Sequence, residues 1–157
     1  MNIVVIGAGY VGLVAACCLA NSNHQVTCVE TDEAKLKLLR QGLSPIQEKG
    51  IGQLLKQELA SGKLSFAPSL AKPLQSDTVI MVTVGTPSLS SGAADLSYIY
   101  QVAAELRNTS QYPSILVMKS TIPPGTGVKL VERYFKDTPI AYVSNPEFLR
   151  EGQAIWD

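Results

Sequence analysis

Four stretches of this chain carry residue types at spacings that could do chemistry. Gly7-Ala8-Gly9-Tyr10-Val11-Gly12 has the G-x-G-x-x-G spacing, with a β-branched run before it and an apolar run after it. That strand-to-helix setting is the one in which such a loop holds a pyrophosphate. Gly7 would allow the tight turn, Gly9 would let the backbone approach the phosphates, and Gly12 would let helix and strand pack closely. The N–H groups and positive dipole of the helix N-terminus would complete the anion site. Glu30 closes the next β-branched run at about the interval expected for an acid that accepts both adenosine ribose hydroxyls. A carboxylate there repels a 2′-phosphate and so favours NAD over NADP. The alternative for Glu30 is a solvated acid at a strand end. Lys35 either reaches the ribose or phosphates or lies on a solvated helix face, whereas Asp32 suits an N-cap.

The remaining stretches follow later strands. Thr86 in Gly85-Thr86-Pro87 and Thr121 in Ser120-Thr121-Ile122-Pro123 occupy matching positions. Their hydroxyls either cap turns before proline or stand beside a nicotinamide ribose and the reacting carbon. Glu147 and Glu151 are four residues apart. On a helix capped by Asn145 they would share one face as a mildly unfavourable like-charge pair. At a strand end, crowding and desolvation would instead raise one of them toward the range of a general base.

These residues need a scaffold, and the apolar pattern supplies one. Ile3 to Ile6, Val26 to Val29, Leu64 to Phe66, Thr78 to Val84, Ile115 to Met118 and Ile140 to Val143 form strand-like runs. Val11 to Ala20 is apolar on all sides, as a buried helix is. Asp32 opens a helix through Arg40, Gln53 to Ala60 forms another, and Asp95 caps a third with Ile99, Val102, Ala103 and Leu106 on one face. Pro123-Pro124 is expected to open the last, with Leu130, Val131 and Tyr134 inward. The order is β-α-β-α-(α)-β-(α)-β-α-β-α-β, brackets marking short helices. It predicts an α/β Rossmann-type fold, a doubly wound parallel sheet with helices on both faces. The polar stretch Ser88 to Ala94 has the composition of a flexible loop.

Composition narrows the partners. The 157 residues fit one domain, 46% are hydrophobic, and 13 basic residues balance 13 acidic ones. A neutral chain gives no electrostatic reason to bind nucleic acid or an anionic membrane. Cys17, Cys18 and Cys28, with the single His24, are too few and wrongly spaced for a zinc site or a disulfide framework. No metal is expected. The thiols suit small core residues. The N-terminus lacks the basic region of a signal peptide, so a soluble, cytoplasmic setting is expected.

Taken together, the glycine loop with Leu13, Gly85-Thr86-Pro87, the run from Lys119 to Thr126 and Asn145-Pro146-Glu147-Phe148-Leu149-Arg150-Glu151-Gly152 resemble the UDP-glucose/GDP-mannose dehydrogenase family. Leu43-Ser44-Pro45-Ile46 and Ala94 to Tyr98 agree. The last motif is most similar to the branch acting on UDP-glucose. The resemblance implies oxidation of a nucleotide sugar at C6, alcohol to carboxylate, with two NAD+ reduced in turn. It implies that Tyr10, Val11, Glu30, Lys35, Thr86, Thr121 and Glu151, with the loop glycines, line the cofactor site. Glu147, Phe148, Leu149, Arg150 and Glu151 would form the near wall of the nucleotide-sugar site. Thr121, Glu147 and Glu151 would be catalytic, Thr121 positioning a water or hydroxyl and Glu147 assisting proton transfer during thioester hydrolysis.

Two departures stand out. Glu30 replaces the family's usual aspartate, which shifts the ribose contact by a methylene. The family's nucleophilic cysteine lies in a Gly-Gly-x-Cys stretch that this sequence lacks. Residues 1–157 are therefore expected to be the NAD-binding part of a longer, homo-oligomeric enzyme, without its central helix and substrate domain, and inactive alone. Rival readings are the same chemistry on GDP-mannose or a UDP-N-acetylhexosamine, and a nucleotide-sensing Rossmann module without catalysis.

Overall fold

The β-branched runs pair side by side as one parallel sheet. In the computed structural model, which describes residues 1–70, 74, 76–109 and 111–157, the strands are β1 (Asn2–Ile6), β2 (Gln25–Val29), β3 (Leu64–Ala67), β4 (Thr78–Val82), β5 (Ser114–Met118) and β6 (Ile140–Ser144). The helices are α1 (Tyr10–Asn21), α2 (Glu33–Arg40), α3 (Ile51–Ala60), α4 (Ser97–Thr109) and α5 (Thr126–Leu130), the last running into a π-helical turn, Val131–Phe135. Strand order is β3-β2-β1-β4-β5-β6. All five pairings are parallel.

Alternation along β1 feeds two cores. Ile3 and Val5 pack with Leu13, Cys17, Leu39 and Leu55 on one face, beneath α1, α2 and α3. Val4 and Ile6 pack with Ile80, Ile99, Leu116 and Leu130 on the other, beneath α4 and α5. Helices therefore cover both faces, as the β-α alternation requires. Chain direction across the sheet reverses between β1 and β4. A crevice opens above the carboxyl ends of strands at such a reversal, where neighbouring loops diverge.

Local signals hold at several joints. Asp32 caps α2, its Oδ1 accepting from the Lys35 amide at 3.0 Å. Asp95 Oδ1 accepts from the Ser97 amide at 2.9 Å where α4 begins. The polar loop is tied: Ser88 and Ala94 form an antiparallel bridge, and the Leu89 amide donates to the Ala93 carbonyl at 2.8 Å.

Three expectations need correction. β4 ends at Val82, two residues short of Val84, because Thr83 turns its hydroxyl inward onto β1. Pro123-Pro124 does not open a helix. It forms a turn closed by the Thr126 amide on the Pro123 carbonyl at 3.2 Å, and α5 starts after Gly125, whose φ of +81° only glycine adopts cheaply. Glu147 and Glu151 share no helical face. Residues 145–150 are extended or irregular and turns follow. The Asn145 amide instead donates to the Met118 carbonyl at 3.0 Å and prolongs the β5–β6 ladder, so it caps nothing. The bracketed helix between β3 and β4 falls partly outside the described residues.

Candidate functional site

At Gly7 and Gly12 the glycine loop is built by a backbone conformation and contacts that a side chain would disrupt. Gly7 has φ +98° and turns the chain out of β1, its amide donating to the Val29 carbonyl at 2.9 Å. Gly9 precedes α1 as its N-cap, and no side chain caps that end. A Cβ on Gly9 would meet nothing within 4 Å, so the loop is bare on the side facing the cleft. A Cβ on Gly12 would lie 1.8 Å from the Gly7 carbonyl oxygen and 2.4 Å from Thr83 Oγ1. Thr83 Oγ1 sits 2.9 Å from the Ile6 carbonyl and 2.8 Å from that of Gly7, and so pins the end of β1.

A cleft of about 500 Å3 lies above the ends of β1, β2 and β4, lined by Gly7, Gly9, Glu30, Lys35 and Gly85 with Tyr98 and Gln101 of α4. Glu30 and, from α4, Glu105 are its acids, and Glu30 is the one beside the glycine loop. Its Oε2 pairs with Lys35 Nζ at 2.8 Å and accepts from the Ala8 amide at 3.3 Å, while Oε1 accepts from the Asp32 amide at 3.1 Å. Burial alone would push this carboxyl up. The Lys35 hydrogen bond and charge and the two amides outweigh burial and hold it below its ordinary value. Lys35 is thus neither purely solvated nor free: it pairs with the acid at the cleft edge and favours its ionised form.

The other candidates occupy the rim. Thr86 Oγ1 donates to the Thr121 carbonyl at 2.9 Å, tying the loop after β4 to the loop after β5. The Thr121 side is exposed. The segment after β6 runs back across the sheet: Leu149, Ala154 and Ile155 pack on the α1–α3 side, beside Tyr10 and Ile46. Glu147 Oε2 accepts from the Leu149 amide at 2.9 Å. Phe148 is 86% exposed. Arg150 clasps Asp157, with its Nε 3.1 Å from Oδ1. Glu151 lies close enough to Tyr10 for its charge to act on the phenol. Val11 and Gly12 sit in the first turn of α1. The structure therefore gathers Gly7, Gly9, Glu30 and Lys35 in one cleft, joins Thr86 to Thr121, and sets Glu151 near Tyr10 on the opposite flank of the glycine loop.

Residue pattern alone missed Thr83, Ser120 and Glu48. Ser120 Oγ donates to the Val84 carbonyl at 2.7 Å and steadies the β4 loop. A hydroxyl ending an apolar strand run was the available signal for Thr83. The cysteines are core residues. Burial, then the charges of Cys18 and Glu58, push the Cys17 thiol up to about 12. Burial raises Cys18 and, still further, Cys28. Among the described residues there is no group of three metal-ligating side chains, and no helix is long and apolar enough to cross a membrane.

The residues present fit a dinucleotide: a bare Gly9 facing the cleft, an uncapped helix end behind it, and an acid at the far edge. Comparison with known proteins agrees. Residues 1–157 match the sequence model of the UDP-glucose/GDP-mannose dehydrogenase family, NAD binding domain. The chain is 46% identical over 162 residues to the UDP-glucose 6-dehydrogenase of Rhizobium meliloti, covering all of this chain and 37% of that one. It is 43% identical over 164 residues to that of Pseudomonas aeruginosa, covering 36% of the relative. Among solved structures, it superposes on a GDP-mannose dehydrogenase from Pseudomonas aeruginosa, seen in a ternary complex, with a TM-score of 0.92 and 38% identity, over 100% of this chain and 38% of that one. The chain thus spans a little over a third of the length of these proteins.

Proposed function

The chain belongs to the UDP-glucose/GDP-mannose dehydrogenase family, as that family's NAD binding domain, and from that premise we propose that it is the cofactor-holding part of an enzyme that oxidises UDP-glucose to UDP-glucuronate. The observation that carries the reading is the cleft in which bare Gly9 and the Glu30 carboxylate face one space. NAD+ supplies a hydride acceptor for each of the two oxidation steps. Gly7, Gly9 and the first-turn amides of Tyr10, Val11 and Gly12 hold the pyrophosphate by hydrogen bonds and dipole. Glu30 takes the adenosine ribose hydroxyls, with Lys35 keeping it ionised. It turns away a 2′-phosphate by like charge.

Thr86, Thr121 and Glu151 stand toward the nicotinamide end. Thr121 positions a water or hydroxyl beside the reacting carbon, which lowers the entropic part of the barrier. Residues Glu147 to Glu151 form the near wall for the nucleotide sugar, and Glu147 carries a proton during hydrolysis of the acyl intermediate. The nucleophile for that intermediate is a thiol outside these 157 residues, since Cys17, Cys18 and Cys28 are all biased toward the protonated form. The longer enzyme is a cytoplasmic homo-oligomer in this reading, by family resemblance. Likeness to the GDP-mannose enzyme favours, as a second reading, the same chemistry on that sugar.

Calorimetric titration tests the cofactor assignment. NAD+ is expected to bind this chain at least tenfold more tightly than NADP+, and Glu30→Ala to erase the difference. Equal affinities for the unmutated chain overturn the assignment. Incubated with UDP-glucose and NAD+, this chain is expected to form no UDP-glucuronate, whereas the longer protein forms it. Product analysis with GDP-mannose decides the second reading.

A further inference from the structure

Glu48 lies between α2 and α3 and is only 9% exposed. Its Oε2 accepts from the Tyr10 hydroxyl and from the Gly152 amide, the latter at 2.8 Å. The Gly152 amide also stands 2.8 Å from the Tyr10 hydroxyl. One carboxylate thereby joins three segments: the first residue of α1, the loop before α3, and the segment after β6. The other oxygen, Oε1, is buried with no hydrogen-bond partner among the described residues. Burying a carboxylate costs several kcal/mol unless donors compensate. Here two donors carry that compensation, and both belong to elements flanking the glycine loop.

Around this polar point the contacts are apolar. Leu149, Ala154 and Ile155 rest beside Ile46, Leu54 and Tyr10. Apolar contact holds a segment down without fixing its register, because it is non-directional. The hydrogen bonds to Glu48 are directional. They fix Gly152, and through it the adjacent Glu151, relative to Tyr10 and the start of α1. Burial, and after it the Glu48 hydrogen bond and charge, raises the Tyr10 phenol above its ordinary value, so it remains a donor.

We propose that Glu48 is a positioning residue: its carboxylate pins Gly152 to Tyr10 and so sets where the adjacent Glu151 stands beside the glycine loop. The functional half of this inference rests on reading residues 147–151 as the substrate-facing wall. The pin itself does not. Glu48→Ala leaves the Gly152 amide only the Tyr10 hydroxyl, which is then itself untied. Glu48→Gln, which still offers an acceptor oxygen, restores part of the tie. Tyr10→Phe removes the hydroxyl that donates to Glu48 and accepts from the Gly152 amide.

Hydrogen exchange on this 157-residue chain reads the pin directly. Glu48→Ala is expected to speed exchange at Gly152 at least tenfold relative to core amides of β1, with Glu48→Gln intermediate. Trp156, the one tryptophan, should show lower fluorescence anisotropy in step. Adding Tyr10→Phe to Glu48→Ala should speed exchange at Gly152 further, since it removes the amide's remaining acceptor. If Glu48→Ala does not fold, the Tyr10→Phe and Glu48→Gln chains carry the same measurement. Exchange at Gly152 unchanged in every folded variant overturns the pin. In the longer protein, Glu48→Gln is expected to lower kcat for sugar oxidation at least tenfold while KM for NAD+ moves less than threefold. Released Gly152 with unchanged kcat overturns the positioning role. No turnover by the unmutated longer protein defeats the functional reading instead, and exchange then decides the pin alone.

Discussion

Gly9 and Gly12 stand three residues apart in one loop, and the structure assigns them opposite sensitivities to a single methyl group. An alanine at Gly12 places Cβ 1.8 Å from the Gly7 carbonyl oxygen, where ordinary contact begins at 3.4 Å. The shortfall of about 1.6 Å falls on backbone at the end of β1, which cannot rotate away as a side chain can. Relief requires α1 to lift from the sheet, loosening the packing of Leu13 and Cys17. Overpacking of this kind costs about 3 kcal/mol at the upper end of its usual range. For a domain of this length that lowers Tm by roughly 6–12 °C. An alanine at Gly9 meets nothing within 4 Å, and φ −69° with ψ −168° is open to any L residue. Its loss as an N-cap and its gain from a stiffer unfolded chain nearly cancel, leaving a change of about 0.5 kcal/mol or less. In the proposed cofactor site the pyrophosphate would lie against Gly9, so on that reading the new methyl should weaken NAD+ binding at least tenfold, about 1.4 kcal/mol. Thermal melts and calorimetric titrations of both variants check the pair. If Gly12→Ala melts within about 2 °C of the parent, or if Gly9→Ala binds NAD+ unchanged, the reasoning from Cβ geometry fails.

Other outcomes follow from the same geometry. Glu30 is held below its ordinary 4.5, so its ionised form contributes stability that is complete above that value and is lost as pH falls through the lower folded value. The stability gap between the parent and Glu30→Gln should therefore be flat in neutral solution and shrink in acid. A gap that widens in acid reverses the sign and sinks the assignment. Thr83→Val keeps the shape but removes the hydroxyl between the Ile6 and Gly7 carbonyls, and denaturant unfolding should show a loss of about 1–3 kcal/mol. Iodoacetamide at neutral pH should leave Cys17 and Cys28 unmodified in the folded chain, with half-buried Cys18 slow. Rapid labelling of Cys28 ahead of unfolding contradicts the burial seen here.

Most of what was legible in the residues came from local pattern. The β-branched runs, the Asp32 cap and the glycine spacing each constrain residues within a few positions, and each appears where the pattern puts it, apart from the last two residues of the Thr78–Val84 run. The strand-to-helix joint at Gly7–Gly12 was legible because a tight turn, an uncapped helix end and close packing leave glycine little competition. Pattern misled at Pro123-Pro124 and at Glu147–Glu151, where residues that suit a helical first turn were drawn into other hydrogen bonds. A turn closes on the Pro123 carbonyl, and the Asn145 amide joins the sheet ladder. Folding alone brings Thr83 to β1 across 77 residues and Gly152 to Tyr10 across 142. No periodicity encodes such meetings. They arise because the parallel sheet brings every strand's carboxyl end to one edge, and the segment after β6 crosses that edge to bury Ala154 and half-bury Leu149 and Ile155. Glu48 shows the consequence most plainly: an unremarkable acid in a loop becomes a buried acceptor once three distant segments close around it.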